Sequence, residues 1–265
     1  MLYSVAKLWN IYIQNERVVF NYILIGFVGI GVIIFLLLLN ISAPYGKHNR
    51  KGWGPQINNR IGWILMEFPA PVLFFILFMT SARVGDITSI IFVIIWEIHY
   101  FQRAFVFPFL IRGNGRIPLI IVLFGQIFNT FNAYFQGRWL FAFSPEYSTY
   151  WFMTPHFIIG LAIFIGGYML NLYSDHIIRN LRKPGESGYK IPYGGLYRYV
   201  SCPNYLGELL EWVGWAILTW SLSGLTFALW TFANLGPRAK TLHEWYQVKF
   251  EHYPKDRKAL IPLLW

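Results

Sequence analysis

Long apolar segments separated by short polar ones make up most of this chain. A membrane-spanning helix needs about 20 mostly apolar residues, and seven segments approach that length. They cover residues 18–40, 61–81, 87–111, 117–137, 152–174, 205–221 and 223–248. Only a few residues around 221–224 separate the last two, which predicts a tight helical hairpin there. The pattern therefore predicts an all-α membrane protein with seven transmembrane helices.

Basic residues are distributed unevenly between the loops that these seven spans create. Loops 41–60, 112–116 and 175–204 would share one side of the membrane with the C-terminus, and these segments hold most of the lysines and arginines. Loops on the opposite side contain little more than Arg83 and Arg138. The positive-inside rule assigns the basic side to the cytoplasm. We therefore expect the N-terminus outside and the C-terminus cytoplasmic.

Composition agrees with a membrane protein and narrows the functional classes. Charged residues make up 13% of the 265 residues, whereas a soluble domain usually has about 25%. The formal net charge of +10 comes from loop residues, which fits membrane topology and phosphate binding better than nucleic-acid binding. The single cysteine excludes an internal disulfide framework. Without a linker or a signal-peptide pattern, we expect one domain over 1–265 and no cleaved leader.

Ionisable residues inside a predicted span are functional candidates because charge is costly in a bilayer. Glu67 lies in the second span, within WILMEFPAPVLFF, and no basic residue is near it in sequence. A buried carboxyl group without a partner tends to remain protonated. As a neutral acid it can donate a hydrogen bond to a carbonyl. The alternative is a purely structural hydrogen bond between helices.

The third span contains WEIHYFQRAFVFPF, which brings more polar side chains into the membrane. Tyr100 provides a phenolic donor and Arg103 a permanent cation, although either could belong to a structural network between helices. His99 is interpreted as a packed or capping histidine and not as a metal ligand. The chain has no HExxH or CxxC motif, so no metal site is expected.

A polar row leaves the fifth span on the predicted cytoplasmic side. Asn171, Asp175 and Arg179 follow at i, i+4 and i+8 and therefore share one helical face, with Arg182 close to it at the next turn. Arginine pairs well with phosphate, and Asn and Asp suit ribose hydroxyl groups or an amide. These polar residues could bind a ligand that enters from the cytosol, or they could simply form a solvated helix end.

Several segments resemble the steroid 5α-reductase family. The run LRKPGESGYKIPYGGLYRYVSCPNYLGELLEW, residues 181–212, is similar to its signature, and RAKTLHEWYQVKFEHYPKDRKALIPLLW, residues 238–265, is similar to its ending. YGKH at 45–48, LMEFP at 65–69 and IHYFQRAFVFPF at 98–109 resemble its N-terminal half. Three features depart from the family pattern. Met66 stands where glutamine is common, Phe107 stands where tyrosine is frequent, and the family's His-rich patch after the arginine of the last helix is reduced to His243.

The resemblance implies a seven-helix reductase that uses NADPH to reduce 3-oxo-Δ4 steroids such as testosterone or progesterone. Glu67 and Tyr100 would bind the C3 carbonyl of the steroid. Residues 1–115 would form mainly the carbonyl side, and 165–265 mainly the cofactor-binding half. Together with Arg179 from the polar row, the predicted cofactor-binding residues are Tyr45, Arg103, Asn171, Asp175, Arg182, Tyr189, Asn204, Glu208, Trp212, Arg238 and Tyr246.

Three other functions remain open from the sequence. YRYVSCPNYLGE resembles the Arg-His-Pro-x-Tyr-x-Gly element of isoprenylcysteine-type methyltransferases, which use S-adenosylmethionine, although Tyr199 replaces the histidine. Related enoyl or sterol reductases would differ in substrate only. A non-enzymatic sterol-binding protein would retain the cavity without turnover. In each case we expect a monomer, in the endoplasmic reticulum of a eukaryote or the inner membrane of a bacterium.

Overall fold

Helices dominate the architecture of this chain. The computed structural model describes residues 2–42, 44, 50, 52–113, 115–182, 186 and 188–265, with side chains from residue 13 onward. The predicted cofactor residue Tyr45 lies outside this part of the chain. Two short strands, β1 (Gln56–Asn58) and β2 (Arg116–Pro118), accompany the helices. The α-helices are α1 (Leu2–Leu38), α2 (Asn59–Glu67), α3 (Pro69–Met79), α4 (Ile87–Phe101), α5 (Phe107–Leu110), α6 (Leu119–Arg138), α7 (Pro155–Asn180), α8 (Pro203–Thr219) and α9 (Leu222–Lys249).

Prolines break the regular α-helix in two of the long apolar segments, but the chain continues as helix after each break. Pro69 separates α2 from α3, because proline has no backbone N–H to donate to the preceding turn. Pro108 lies in α5 directly after a π-helical turn, Gln102–Val106, that continues α4. The wider turn accommodates the missing hydrogen bond and changes the register of the side chains around it. Arg103 lies in this turn.

Among the residues that the structure describes, five helical segments are long and apolar enough to cross a membrane, which confirms an all-α membrane protein. They are Ile13–Leu38, Asn59–Met79, Ile87–Leu110, Leu119–Phe143 and Pro155–Asn180. The sixth and seventh predicted spans also form helices, but α8 has only 17 residues and α9 ends in a polar, charged segment. The count of seven spans and the orientation of the chain stay predictions.

Glycines let α7 and α8 pack with their backbones almost in contact. A Cβ atom added to Gly167 would lie 2.4 Å from the backbone nitrogen of Glu211. One added to Gly207 would lie 2.5 Å from the backbone nitrogen of Asn171. No larger residue fits at either position, and this mode of packing is common between membrane helices. It aligns the polar residues of α7 with those of α8.

The predicted hairpin between the last two helices is confirmed. Trp220 ends α8 in a left-handed conformation with φ 45°, and the Ser221 side chain caps α9 by accepting a hydrogen bond from the Gly224 backbone. The turn lies beside the start of α7, where the Trp151 indole donates to the Leu218 carbonyl over 2.9 Å. Helix α8 therefore runs antiparallel to α7 along most of its length.

The two strands fix the starts of two helices at one end of the bundle. β1 and β2 pair antiparallel with Ile57 opposite Ile117, just before α2 and α6 begin. Arg60 from the start of α2 and Arg112 from the end of α5 lie in one cleft with Arg179 from the end of α7. Described residues from the segments 41–60, 112–116 and 175–204 therefore lie close together at this end of the bundle.

An aromatic core fills the centre of the bundle where α3, α4, α8 and α9 meet. Phe74, Trp96, Trp212, Trp215 and Phe227 belong to one buried cluster. The Trp212 and Phe227 ring centroids are 4.1 Å apart. This core forms an apolar wall against the polar side chains described next.

Candidate active site

Glu67 ends α2 inside the protein, where an asparagine of α6 binds it. The Asn129 side-chain amide donates to Oε2 of Glu67 over 3.0 Å and to the Met66 carbonyl over 2.8 Å. Glu67 as a whole is 9% exposed. It therefore points into the helix bundle and not toward lipid, which is the placement that its predicted role requires.

Tyr100 reaches the same asparagine from α4. Its ring is 2% exposed, and its hydroxyl group lies 3.5 Å from Oδ1 of Asn129, to which it donates at the long limit of a hydrogen bond. The same hydroxyl accepts a hydrogen bond from Asn132 over 3.3 Å. Asn129 thus contacts both residues predicted to bind a steroid carbonyl, Glu67 and Tyr100.

The α6 amides were missed in the sequence analysis. Asn129, Asn132 and Gln136 are all buried and follow at i, i+3 and i+7, so they share one face of α6. Gln136 donates to Asn132 over 3.2 Å and accepts from the Trp215 indole over 3.0 Å. Amides repeated at helical spacing in an apolar span were the available signal, since buried polar groups need partners.

Arg103 links the carbonyl end of the site to α8. Its Nη2 atom lies 3.4 Å from Oε2 of Glu208, and its Nε atom lies 4.0 Å from Oε1 of Glu67. The guanidinium group also lies 4.8 Å from the ring centroids of both Trp63 and Phe107. These cation–π contacts stabilise the positive charge of Arg103 inside the bundle. Glu67 therefore has a basic neighbour in space, although none is near it in sequence.

The predicted polar row of α7 meets a second row on α8. Asn171 donates to the Asn204 carbonyl over 3.0 Å and lies 3.5 Å from Oε2 of Glu208. The Asn204 side-chain amide in turn donates to Asp175 over 3.0 Å. Four predicted cofactor residues are therefore joined by hydrogen bonds, and Glu208 connects them to Arg103 and hence to Glu67.

Trp212 is a member of the aromatic core that lies next to Tyr100. It is 1% exposed, and its ring centroid lies 5.7 Å from that of Tyr100. Behind it, His99 Nδ1 and Glu211 Oε1 form a buried contact of 2.7 Å, and the His99 ring lies 4.5 Å from Trp212. His99 is therefore a packed residue, as interpreted from the sequence, and its ring packs against Trp212.

The two arginines predicted to bind phosphate lie at the end of α7, Arg179 in its last turn and Arg182 just after it. Arg179 lines a surface cleft, and its buried Nη1 atom has no hydrogen-bond partner among the described residues. Arg182 follows the helix, and its carbonyl accepts a hydrogen bond from Arg112 over 3.1 Å. Arg179 is thus the better placed of the two for an additional polar ligand.

The remaining predicted cofactor residues lie around α9. Tyr189 packs edge-on against Trp245, with ring centroids 4.9 Å apart, and Tyr246 stacks on Tyr253 at 5.3 Å. Arg238 lies over the ring of Tyr205 at 5.5 Å. The role of these three residues in binding the cofactor stays a prediction.

Tyr197 connects the loop after α7 back to that helix. Its hydroxyl group donates to the Ser174 carbonyl over 3.3 Å, and the side chain is fully buried. Burial raises the pKa of Tyr197 well above its ordinary value, so the phenol remains a neutral donor. This bond holds the segment before Asn204 against α7.

Comparison with known proteins now gives the family. A family model described as "3-oxo-5-alpha-steroid 4-dehydrogenase" matches residues 115–265. The chain is 44% identical to "3-oxo-5-alpha-steroid 4-dehydrogenase 1" of Rattus norvegicus, over 86% of this chain and 88% of the relative. The chain belongs to the steroid 5α-reductase family. It is also 40% identical to "Steroid 5-alpha-reductase DET2" of Gossypium hirsutum, over 95% of this chain and 99% of that one.

Membership in the steroid 5α-reductase family fixes the general chemistry. The protein is an oxidoreductase of steroid metabolism that acts on a CH–CH group. The family resemblance inferred from the segments quoted above is thereby confirmed. Its apolar helices indicate a lipid environment.

Proposed function

We propose that this steroid 5α-reductase family member reduces the Δ4 double bond of 3-oxo-Δ4 steroids, of the testosterone or progesterone type, with NADPH. The observation that carries the proposal is that Asn129 contacts both Glu67 and Tyr100 inside the bundle. A buried carboxyl group and a buried phenol on one amide form a suitable pair of donors for a ketone. Trp212 adds an apolar wall next to Tyr100.

Glu67 and Tyr100 would stabilise negative charge on the C3 oxygen of the steroid. Donors held in place before the reaction act as an oxyanion hole. Since Oε2 of Glu67 already accepts from Asn129, a proton on this carboxyl group belongs on Oε1. Tyr100 directs its own proton along a long contact of 3.5 Å, which a carbonyl oxygen can replace at small cost.

The polar chain along α7 and α8 fits a nucleotide. Asn171, Asp175, Asn204 and Glu208 offer amides and carboxylates suited to ribose hydroxyl groups. The buried Nη1 atom of Arg179, which has no hydrogen-bond partner among the described residues, is suited to phosphate. NADPH, when bound, supplies the hydride that reduces C5 of the enone. The remaining proposed cofactor residues are Arg103, Arg182, Tyr189, Trp212, Arg238 and Tyr246. The buried aromatic core excludes water from the reacting end of the site.

A cofactor test separates the competing functions. Purified protein in detergent should show a higher melting temperature with NADPH and no change with S-adenosylmethionine. The opposite result would indicate the methyltransferase alternative. Turnover of a Δ4-3-ketosteroid to its 5α product then separates the proposed reductase from a sterol-binding protein, and activity limited to other enones would indicate an enoyl or sterol reductase.

Substitution of Glu67 tests the proposed carbonyl contact. In Glu67→Gln the acid is replaced by an amide, a much weaker proton donor, so kcat should fall about 100-fold or more while NADPH binding persists. Glu97→Gln is the matched control, because Glu97 is another carboxyl residue of a membrane helix, α4, and should retain activity. Unchanged turnover in Glu67→Gln would remove this residue from the mechanism.

The localisation, the oligomeric state and the domain organisation are part of the same proposal. We place the enzyme in the endoplasmic reticulum of a eukaryote or the inner membrane of a bacterium, as a monomer with one domain. In this view the N-terminal half, through Glu67 and Tyr100, mainly serves the carbonyl, and the C-terminal half mainly serves the cofactor. Asn129 lies between the two halves. Light scattering in detergent would test the monomer.

A further inference from the structure

A series of hydrogen bonds, here called the amide chain, leads from the Trp215 indole to the Tyr100 hydroxyl group. The indole N–H donates to Oε1 of Gln136 over 3.0 Å. Nε2 of Gln136 donates to Oδ1 of Asn132 over 3.2 Å, and Nδ2 of Asn132 donates to the Tyr100 hydroxyl group over 3.3 Å. The amide chain therefore begins in the aromatic core and ends at a side chain proposed to bind a steroid carbonyl.

Two neighbours with fixed hydrogen-bonding roles decide how the Gln136 amide is oriented. An indole N–H can only donate, and a backbone carbonyl can only accept. The Trp215 indole faces Oε1 of Gln136, and the Ser223 carbonyl accepts from Nε2 over 2.8 Å. Exchange of the amide oxygen and nitrogen would set a donor against a donor and an acceptor against an acceptor. Trp215 and Ser223 therefore fix the Gln136 nitrogen as the atom that faces Asn132.

The orientation of Gln136 fixes that of Asn132 in turn. Because the Gln136 nitrogen is a donor, the oxygen of the Asn132 amide faces it, and the Asn132 nitrogen is left to face Tyr100. Asn132 and Gln136 are 2% and 1% exposed, so bulk water cannot replace these partners. A buried amide that loses its hydrogen bonds costs free energy. This cost keeps the order of donors and acceptors along the amide chain.

The direction of the Tyr100 proton follows from this order. A phenol has one proton to donate, and the Asn132 N–H already approaches the phenol oxygen. The proton therefore points away from Asn132, along the contact of 3.5 Å to Oδ1 of Asn129. Asn129 presents its oxygen there because its nitrogen donates to Glu67 and to the Met66 carbonyl. A ketone oxygen that replaces this long contact would receive the proton without rotation of the phenol hydroxyl group.

We propose that Asn132 and Gln136 are positioning residues, which direct the phenolic proton of Tyr100 toward the C3 carbonyl of the steroid. The inference rests on the proposed function, which assigns Tyr100 to that carbonyl. Donors that are oriented before the reaction stabilise negative charge on the carbonyl oxygen without reorganisation. With the Asn132 amide reversed, its oxygen would accept the Tyr100 proton, and the steroid would lose this donor.

Gln136→Met and Asn132→Leu, each combined with Tyr100→Phe, separate this role from loss of packing. Each of the two single variants should lower kcat for a Δ4-3-ketosteroid about 10-fold, the effect of one misdirected hydrogen bond, and leave the Kd of NADPH unchanged. Tyr100→Phe lowers kcat on its own, and in that background neither substitution should lower it further. A merely structural role would reduce kcat by the same factor in both backgrounds, and that result would overturn the inference.

The carbonyl stretch of the bound steroid gives a second measurement, which needs no turnover. The steroid is bound together with NADP⁺ to the wild-type protein and to each variant, and the infrared band of its C3 carbonyl is recorded. A hydrogen bond from Tyr100 lowers the frequency of this band, so Gln136→Met, Asn132→Leu and Tyr100→Phe should all raise it. Asn132→Leu carries the test alone if Gln136→Met does not fold. A wild-type frequency in the amide-chain variants would overturn the inference.

The control is Trp151→Phe, which removes an indole outside the amide chain. The Trp151 indole donates to the Leu218 carbonyl over 2.9 Å, so its loss should lower the melting temperature but retain wild-type kcat and carbonyl frequency. Wild-type kcat in Tyr100→Phe would overturn the role of Tyr100 in the proposed function. Wild-type kcat in Gln136→Met and Asn132→Leu, beside an impaired Tyr100→Phe, would overturn the inference alone, so the two failures are distinguishable.

Discussion

The carboxyl group of Glu67 and the side-chain amide of Asn129 are joined by a hydrogen bond of 3.0 Å in the interior of the bundle. Asn129 also lies 3.5 Å from the Tyr100 hydroxyl group. One amide therefore sets the orientation of two side chains that come from different helices. Its effect on the reaction is through them, which makes Asn129 a positioning residue in the proposed mechanism.

Replacement of Asn129 by leucine should impair turnover more than binding. Leucine has a similar volume but leaves Glu67 and Tyr100 without their shared partner, so kcat should fall about 10- to 100-fold. The Kd of NADPH should change little, because the cofactor is proposed to lie along α7 and α8. Steady-state kinetics with a Δ4-3-ketosteroid and cofactor titration give the two quantities.

The neighbouring residue provides the control for this substitution. Thr130 is exposed and donates only to the Gln126 carbonyl within its own helix. Thr130→Val should therefore retain wild-type kcat. An Asn129→Leu variant with normal kcat would show that Glu67 and Tyr100 need no common support.

Loss of Arg103 should destabilise the protein by leaving the Glu208 carboxylate without its cation. Arg103→Met keeps much of the side-chain volume between Trp63 and Phe107 but removes the charge near Glu67 and Glu208. Uncompensated charge of this kind costs about 2 kcal/mol or more, which should lower the melting temperature in detergent by several degrees.

A second substitution tests the electrostatic origin of that loss. In the double variant Arg103→Met, Glu208→Gln, one orphaned carboxylate is gone, so part of the stability should return. If the double variant is less stable than the sum of the two single effects predicts, the ion pair does not account for the loss. A melting temperature of Arg103→Met equal to wild type would contradict the prediction directly.

The contact between α7 and α8 should be sensitive to a single methyl group. In Gly167→Ala the new Cβ atom would lie 2.4 Å from a backbone nitrogen of α8, and backbone cannot yield as a flexible side chain can. Forced separation should cost about 1–3 kcal/mol and disturb the bond between Asn171 and Asn204. Melting temperature and NADPH affinity should both decrease.

Gly166 gives an adjacent control on the same helix. A Cβ atom at Gly166 meets nothing within 4 Å, so Gly166→Ala should be neutral, or slightly stabilising because alanine favours helix. Equal effects of the two substitutions would mean that general helix propensity, and not the interhelical contact, controls stability.

Side-specific labelling can decide whether α8 and α9 cross the membrane. Single cysteines at Tyr150, Leu222 and Leu263, all well exposed, are introduced into a Cys202→Ala background. With seven spans, a membrane-impermeant maleimide should label positions 150 and 222 from the same side and position 263 from the other. Labelling of 222 together with 263 would reduce the count to five.

Residues close in sequence or repeated on one helix face were predictable from the sequence. The apolar runs located the helices, the few residues near 221–224 predicted the hairpin, and spacing brought Asn171 and Asp175 together on α7. Glu67 and Tyr100 were singled out because each is a polar group in an apolar span. These signals depend on local chain geometry, which sequence patterns encode.

Contacts between distant segments were not predictable in the same way. Asn129 gains its importance only because α6 turns its amide face toward both α2 and α4. Arg103 reaches Glu67 because the π-helical turn before Pro108 changes the side-chain register of α4. The cleft of Arg60, Arg112 and Arg179 depends on three chain segments converging, and no one of them contains the pattern.

The near-contact of α7 and α8 along their glycines also bears on how a large ligand could enter. Because the two backbones are in close contact at Gly167 and Gly207, we expect α7 and α8 to move together as one rigid unit. The polar side chains that the two helices share should then stay at fixed distances from one another. Any widening that admits a nucleotide or a steroid has to come from the facing wall, where α2 and the π-helical turn after α4 meet.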